Sequence, residues 1–286
     1  MSVTKTVGIW LLMLGALAAL TTLVSAVYPV PAMSVEVIGD DEQDRFAGTG
    51  AVFLPATVAT SIRTEAVTCH GCQWKVTAPC LRDDQHGDAG CRGTVLGCPQ
   101  GREIGRAWLA RPGGDFEPVG LFCPHDGEVT SVSDMNNRVR GDMANRVPRL
   151  QPQCAPERGV VVGIEMHCRS GQRSARQAWT NQLAGYSVTT TARATWEWTF
   201  RQRIPMSGRS AGSWVQRVGY PGEVYPGSGI RQAFTAAGRH EIAVRATWLG
   251  MYTVDGLGPF PVHEAVRQEV GWQVPVGSAL GVLAGP

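Results

Sequence analysis

The stretch Tyr186–Phe200, YSVTTTARATWEWTF, constrains the chain more than any other part of it. Every second residue (Tyr186, Val188, Thr190, Ala192, Ala194, Trp196, Trp198, Phe200) is apolar or small, apart from one threonine. The alternate set is Ser187, Thr189, Thr191, Arg193, Thr195, Glu197 and Thr199. A period of two held this long, rich in threonine and aromatics and lacking glycine and proline, specifies a strand with one buried and one wet face.

The pattern recurs on even numbers at His240, Ile242, Val244, Ala246 and Trp248, and again at Val270, Trp272, Val274 and Val276. Gly/Pro-rich connections and no helical period between these runs predict a mainly β fold, an antiparallel immunoglobulin-like β-sandwich over 183–286. Four tryptophans, Trp196, Trp198, Trp248 and Trp272, fall on the faces expected to be buried.

The 286 residues suggest roughly two domains. A formal net charge of +2 provides no field to drive nucleic-acid or anionic-membrane binding. Lysine occurs only at Lys5 and Lys75, so a lysine nucleophile or Schiff base is restricted to Lys75.

Lys5 precedes an apolar run from Val7 to Val24, followed by Val24-Ser25-Ala26, a small-residue pattern suited to signal peptidase. Residues 1–26 are therefore expected to be a signal peptide cleaved near Ala26. Retention as an anchor is the rival, because the run approaches the roughly 20 residues that span a bilayer. The body of the chain is expected to be secreted or extracytoplasmic. Residues 27–50 read as a linker, with Asp40, Asp41, Glu42 and Asp44 as a solvated acidic turn lacking calcium-loop spacing.

All eight cysteines (Cys69, Cys72, Cys80, Cys91, Cys98, Cys123, Cys154 and Cys168) lie within 51–175, which reads as a disulfide-rich α+β region. Short strand-like pieces appear at Ala51–Leu54, Gln73–Thr77, Ala107–Leu109 and Val119–Phe122. One helix is predicted near 132–147. Ser131 to Asp134 form a capping box, Met135, Val139, Met143 and Val147 recur every four residues, and Pro148 stops the run. Gly171–Gln182, polar and arginine-rich, reads as a connection.

Cys69-His70-Gly71-Cys72 has the C-x-x-C spacing of thiol–disulfide exchange, but it precedes a strand and no βαβ pattern surrounds it. With Cys80, Cys91, Cys98, His70 and His86 it contains enough zinc ligands, yet not two matched knuckles. Structural disulfides are the expectation, with Cys80–Cys91 the preferred pair and the other connectivities open. G-x-S-x-G, H-E-x-x-H and P-loop motifs are absent. No catalytic residue, metal or cofactor is expected. Trp214, Tyr220 and Tyr225 lie in what reads as a long inter-strand loop, where they would anchor the loop or stack on a sugar or a partner.

From Ala194 onward the chain resembles the polycystic-kidney-disease (PKD) domain, an immunoglobulin-like sandwich. Trp198 and Phe200 match its W-x-F, although Arg201-Gln202-Arg203 replaces the following G-D-G. Phe234, Gly238, His240, Ile242 and Val244 match its later strand motif, with His240 where tyrosine is usual. The wider resemblance is to exported actinobacterial proteins that join a cysteine-containing region to a PKD-like domain. It rests on Val76–Asp84, Val119–Cys123, Tyr220-Pro221-Gly222 and Tyr252–Phe260. The missing G-D-G implies a longer, mobile loop over 201–219.

The resemblance implies a non-catalytic envelope protein whose partner is an envelope or extracellular protein. Carbohydrate or cell-wall binding through Trp214, Tyr220 and Tyr225 is the alternative, and a thiol-redox or zinc-dependent enzyme the second. Nucleic acid is not an expected partner, and a membrane only through the N-terminal segment.

Overall fold

The computed structural model describes residues 38–40, 45–77, 105–123, 128–157, 159–203 and 210–278. The apolar run 7–24, the acidic residues Asp41, Glu42 and Asp44, and Cys80, Cys91 and Cys98 with the preferred Cys80–Cys91 pair lie outside them. The described residues belong to one unit, 35–286. Among them, no helix is long and apolar enough to cross a membrane.

In chain order the elements begin with β1 (Ile38–Asp40), β2 (Arg45–Thr49), β3 (Val52–Phe53), α1 (Thr60–Thr68), β4 (Gln73–Thr77), β5 (Gly105–Ala110), β6 (Glu117–Phe122) and β7 (Thr130–Ser131). Next come α2 (Val132–Arg146), β8 (Gln153–Ala155), β9 (Val160–Val161), β10 (Glu165–Arg169), β11 (Arg176–Leu183) and β12 (Tyr186–Arg203). The last are β13 (Ser210–Val218), β14 (Arg231–Ala233), β15 (Gly238–Val254), β16 (Leu257–Pro261) and β17 (Val266–Gly277).

The fold is mainly β, and its centre is the antiparallel pair β12–β15, in register from Val188↔Val254 to Arg201↔Glu241. Along β12 the even-numbered residues from Tyr186 to Gln202 are all buried, and none of the odd-numbered ones is. The alternation predicts this pattern, because successive side chains leave a strand on opposite faces. Trp196, Trp198 and Trp248 are fully enclosed, while Trp272 is half-buried with its ring edge-on to Trp198 at 6.3 Å.

Each central strand has two partners end to end on its outer edge. On β12, β11 pairs with residues 186–193 and β13 with 196–203; on β15, β17 pairs with 238–248 and β16 with the far end. Arg176–Leu183, expected as a connection, is therefore a strand. Two tight turns make the shorter hairpins. Ala184-Gly185 and Asp255-Gly256 both have φ > 0 at two successive residues, the type I′ geometry that matches strand twist.

Among the described residues, the inner face of this sheet is covered by a helix and a short-stranded sheet rather than by a second extended sheet. One part lies under α2, whose Met135, Val139, Met143 and Val147 are buried in the same core as Trp196 and Trp248. Ser131 caps the helix as predicted, accepting from Asp134 N at 2.9 Å and donating to its carboxylate at 2.7 Å. The other cover is a short-stranded sheet, β14-β10-β8, which contributes Met166 and Cys168, with Ile230 and Phe234 from the adjoining chain.

Upstream, β1-β2-β4-β5-β6 form a five-stranded sheet with its own core of Val52, Leu54, Val58, Ala66, Trp74 and Leu109 among others. The two-residue strand β3 joins the two cores: Val52 belongs to the upstream one and Phe53 to the downstream one. This region is thus more regular than its loop-like composition predicts.

Candidate functional site

The register across the outer, odd-numbered face of the large sheet fixes rows of side chains. One row runs Arg217, Glu197, Arg245, Glu269 across β13, β12, β15 and β17. Arg217 Nε lies 2.6 Å from Glu197, Arg245 Nη1 3.9 Å from Glu197, and Arg245 Nη2 2.9 Å from Glu269. The Glu269 hydrogen bond holds the Arg245 pKa above its ordinary value. Such exposed pairs stabilise little, so the ladder matters more for the charge pattern it presents. Arg201 and Glu241 form a further pair at 3.6 Å.

Arg176, Arg193, Arg239 and Arg267 lie on the same face with no carboxylate partner among the described residues. Arg176 stands directly opposite Arg193. Among the residues whose side chains are described, seven arginines against three glutamates leave this face a surplus of four positive charges, more than the +2 of the whole chain.

Two shallow grooves adjoin here. One, about 440 Å³, is lined by Arg176, Thr191, Arg193, Leu249 and Met251 among others. The other, about 480 Å³, is lined by Thr195, Glu197, Arg217, Arg245, Thr247 and Arg267 among others. Leu249 is 60% exposed and Met251 40%, which is high for large apolar side chains on a sheet. Sequence reasoning missed this surface because it treated the odd-numbered face as merely wet. Arginines at alternate positions of the strand pattern were the available signal.

The three aromatics singled out from sequence do not share one loop. Trp214 sits on strand β13, opposite Phe200, and is 37% exposed. Of the 201–219 segment, expected as a long mobile loop, residues 201–203 continue β12 and 210–218 form β13 paired with it, while 204–209 lie outside the described residues. Tyr220 packs so closely on Gly229 that a Cβ there would collide with its hydroxyl. Tyr225, 61% exposed, stands edge-on to the His167 ring at 5.1 Å. His167 Nδ1 lies 3.3 Å from the Ser228 carbonyl, and Gln216 Nε2 donates to the Gly229 carbonyl at 2.9 Å. Tyr220 and Tyr225 are therefore held around Ser228-Gly229, while no ring contact joins Trp214 to either among the described residues.

Cys69 and Cys72 are bonded to each other, and Cys154 to Cys168 across the β8–β10 pair. Cys123 is also in a disulfide, and no described cysteine is free. Cys69 caps the C-terminus of α1. That end of a helix dipole disfavours a thiolate, opposite to what an exchange site needs. Among the described residues, no three His, Cys, Asp or Glu side chains converge as a metal group. His86 lies outside the described residues, so most of the zinc set is not placed.

No family model matches the chain, and no curated protein or solved structure does.

Proposed function

We propose that this is a non-catalytic exported protein that makes protein–protein contacts in the cell envelope through the outer face of its large sheet. The observation that carries the reading is the charge pattern there. A ladder of matched Arg and Glu runs through the middle, beside Arg176, Arg193 and Arg267, which have no carboxylate partner among the described residues. A partner protein that supplies carboxylates gains charge-assisted hydrogen bonds and electrostatic steering. The disulfides Cys69–Cys72 and Cys154–Cys168 fit an oxidising compartment. The leader-like residues 1–26 support export, and retention of that segment as an anchor is part of the same reading. The PKD-like reading of 194–276 is supported by the buried Trp198 and Phe200 and by Phe234 stacked on His240 at 4.8 Å.

The test is a photo-crosslinking residue placed at Thr195 on the outer face, with a control at Glu157, in cells that export the protein. Discrete adducts at Thr195 that protease removes support the reading. Their absence there, or equal adducts at Glu157, overturns it.

A second reading, carbohydrate or cell-wall binding, is favoured by the exposed Tyr225 ring beside His167. Glu165 lies 3.8 Å from His167 and 3.3 Å from Arg231, which sets polar groups beside the histidine that Tyr225 meets. Co-sedimentation with purified wall polymers, lost in Tyr225→Ala, supports it. Equal sedimentation of wild type and variant sinks it.

A further inference from the structure

We propose that Arg176, Arg193 and Arg267 form a site for an extended acidic protein segment that also carries apolar side chains, an inference that rests on the outer face being the contact surface. Arg176, Arg193 and Leu249 form one row across β11, β12 and β15. Ala178, Thr191 and Met251 form the row on one side of it, and Thr195, Thr247 and Arg267 the row on the other. Like charges placed directly opposite destabilise a sheet, and no described carboxylate relieves Arg176 or Arg193. A bound carboxylate between them removes that repulsion. Rows on one face are about 7 Å apart, the spacing at which an extended peptide presents alternate side chains.

Two observations favour a protein over a polyanionic polymer or a nucleic acid. Leu249 and Met251 are exposed beside the arginines, and burying them stabilises a complex by roughly 25 cal/mol per Å² only if the ligand brings apolar surface. In the neighbouring row Glu197 and Glu269 are matched by Arg217 and Arg245, so it is net neutral and offers a uniformly anionic chain no further attraction. A segment of mixed acidic and apolar residues meets both conditions.

Fluorescence anisotropy on the full chain tests this with a labelled peptide alternating Glu and Leu. A Lys/Leu peptide and heparin serve as comparison probes, and circular dichroism checks that each variant is folded. We expect salt-sensitive binding of the Glu/Leu peptide only. Arg193→Glu should weaken it by about tenfold or more, Leu249→Ser by a smaller factor, and Arg193→Lys the least of the three. Binding that is indifferent to Arg193→Glu overturns the site. Heparin binding as tight as the peptide's, unaffected by Leu249→Ser, replaces the acidic peptide with a polyanion. If the peptide fails while crosslinks at Thr195 persist, only the ligand class is lost; if both fail, the contact surface itself is wrong.

Discussion

Arg63 of α1 reaches Asp255 in the type I′ turn between β15 and β16, with Nη2 3.3 Å from Oδ2. The Arg63 side chain is 8% exposed, and the other carboxylate oxygen of Asp255 accepts from Ser187 N at 2.9 Å. One aspartate thus pins the upstream helix, the hairpin turn and the start of β12 together.

Replacing Asp255 leaves a buried cation without its counter-charge, which costs several kcal/mol where burial is complete. Asp255→Asn keeps the tolerance for φ of 45° and the bond to Ser187 while removing the charge. Chemical denaturation should show a loss of about 1–3 kcal/mol for Asp255→Asn, and a larger one for Asp255→Ala, which also strains the turn. Equal stability of Asp255→Asn and wild type would show that the ion pair contributes nothing.

Gly250 tests the contact between helix and sheet. A Cβ there would stand 2.7 Å from Met143 Sδ and 2.8 Å from Val262 Cγ2. Gly250→Ala should destabilise by about 1–3 kcal/mol through overpacking. Combining it with Met143→Ala, which makes room, should give less loss than the two single effects added. Strict additivity in the cycle would mean that α2 does not press on β15 at this point.

Asp142 contributes to the acid limb of stability. Burial alone raises its pKa, but bonds from Arg146 (2.9 Å), Trp179 Nε1 (2.7 Å) and Asn181 (3.0 Å) outweigh that and hold it below the ordinary value. A depressed folded pKa gives stability that is present above the unfolded pKa, about 4, and lost as pH falls through the folded value. The melting temperature of Asp142→Asn should therefore lie below wild type at neutral pH, with the gap narrowing below about pH 4. A gap that stays constant with pH would exclude this linkage.

Gln172 satisfies the Trp196 indole, whose Nε1 donates to its side-chain oxygen at 2.7 Å in the middle of the core. Gln172→Ala leaves that donor buried and unmet, and should cost about 1–3 kcal/mol in denaturant titration. Trp196→Phe together with Gln172→Ala removes donor and acceptor at once, so the pair should be less damaging than additivity predicts. Full additivity would contradict the bond.

Arg193→Glu should bind the acidic probe worse yet melt no lower than wild type. The new carboxylate faces Arg176 across the strand pair, where two like charges stood before. A clear fall in melting temperature would show that Arg193 supports the fold instead of serving a ligand.

The sequence revealed most where burial is periodic. Tyr186–Phe200 and the run from His240 to Trp248 are legible because a strand over a core must alternate, and α2 because Ser131 and the four-residue stripe mark its start and its face. Arg176–Leu183 was illegible because its inward residues include Gln177, Trp179 and Asn181, of which Trp179 and Asn181 bond Asp142 instead of filling a wholly apolar core. Helix α1 escaped notice for a similar reason. It buries Arg63 beside Ala66 and Val67, and its threonines bond back to the carbonyls of Thr60 and Thr64, so no apolar stripe shows. Asp255-Gly256 did carry a recognisable hairpin signal that pointed to β16. The cover over the inner face was not readable, since the same alternation suits a sheet facing another sheet or a sheet facing a helix.

Strand β12 runs unbroken past the junction where β11 ends and β13 begins, at Ala194 and Thr195. Both grooves lie beside that junction, one against each shorter strand. Separate halves meeting there would hinge, whereas a single backbone threaded through both prevents it. The backbone positions that carry the arginines on either side are therefore fixed relative to one another, so a guest at the proposed surface would have to still only their long side chains and not the strands beneath.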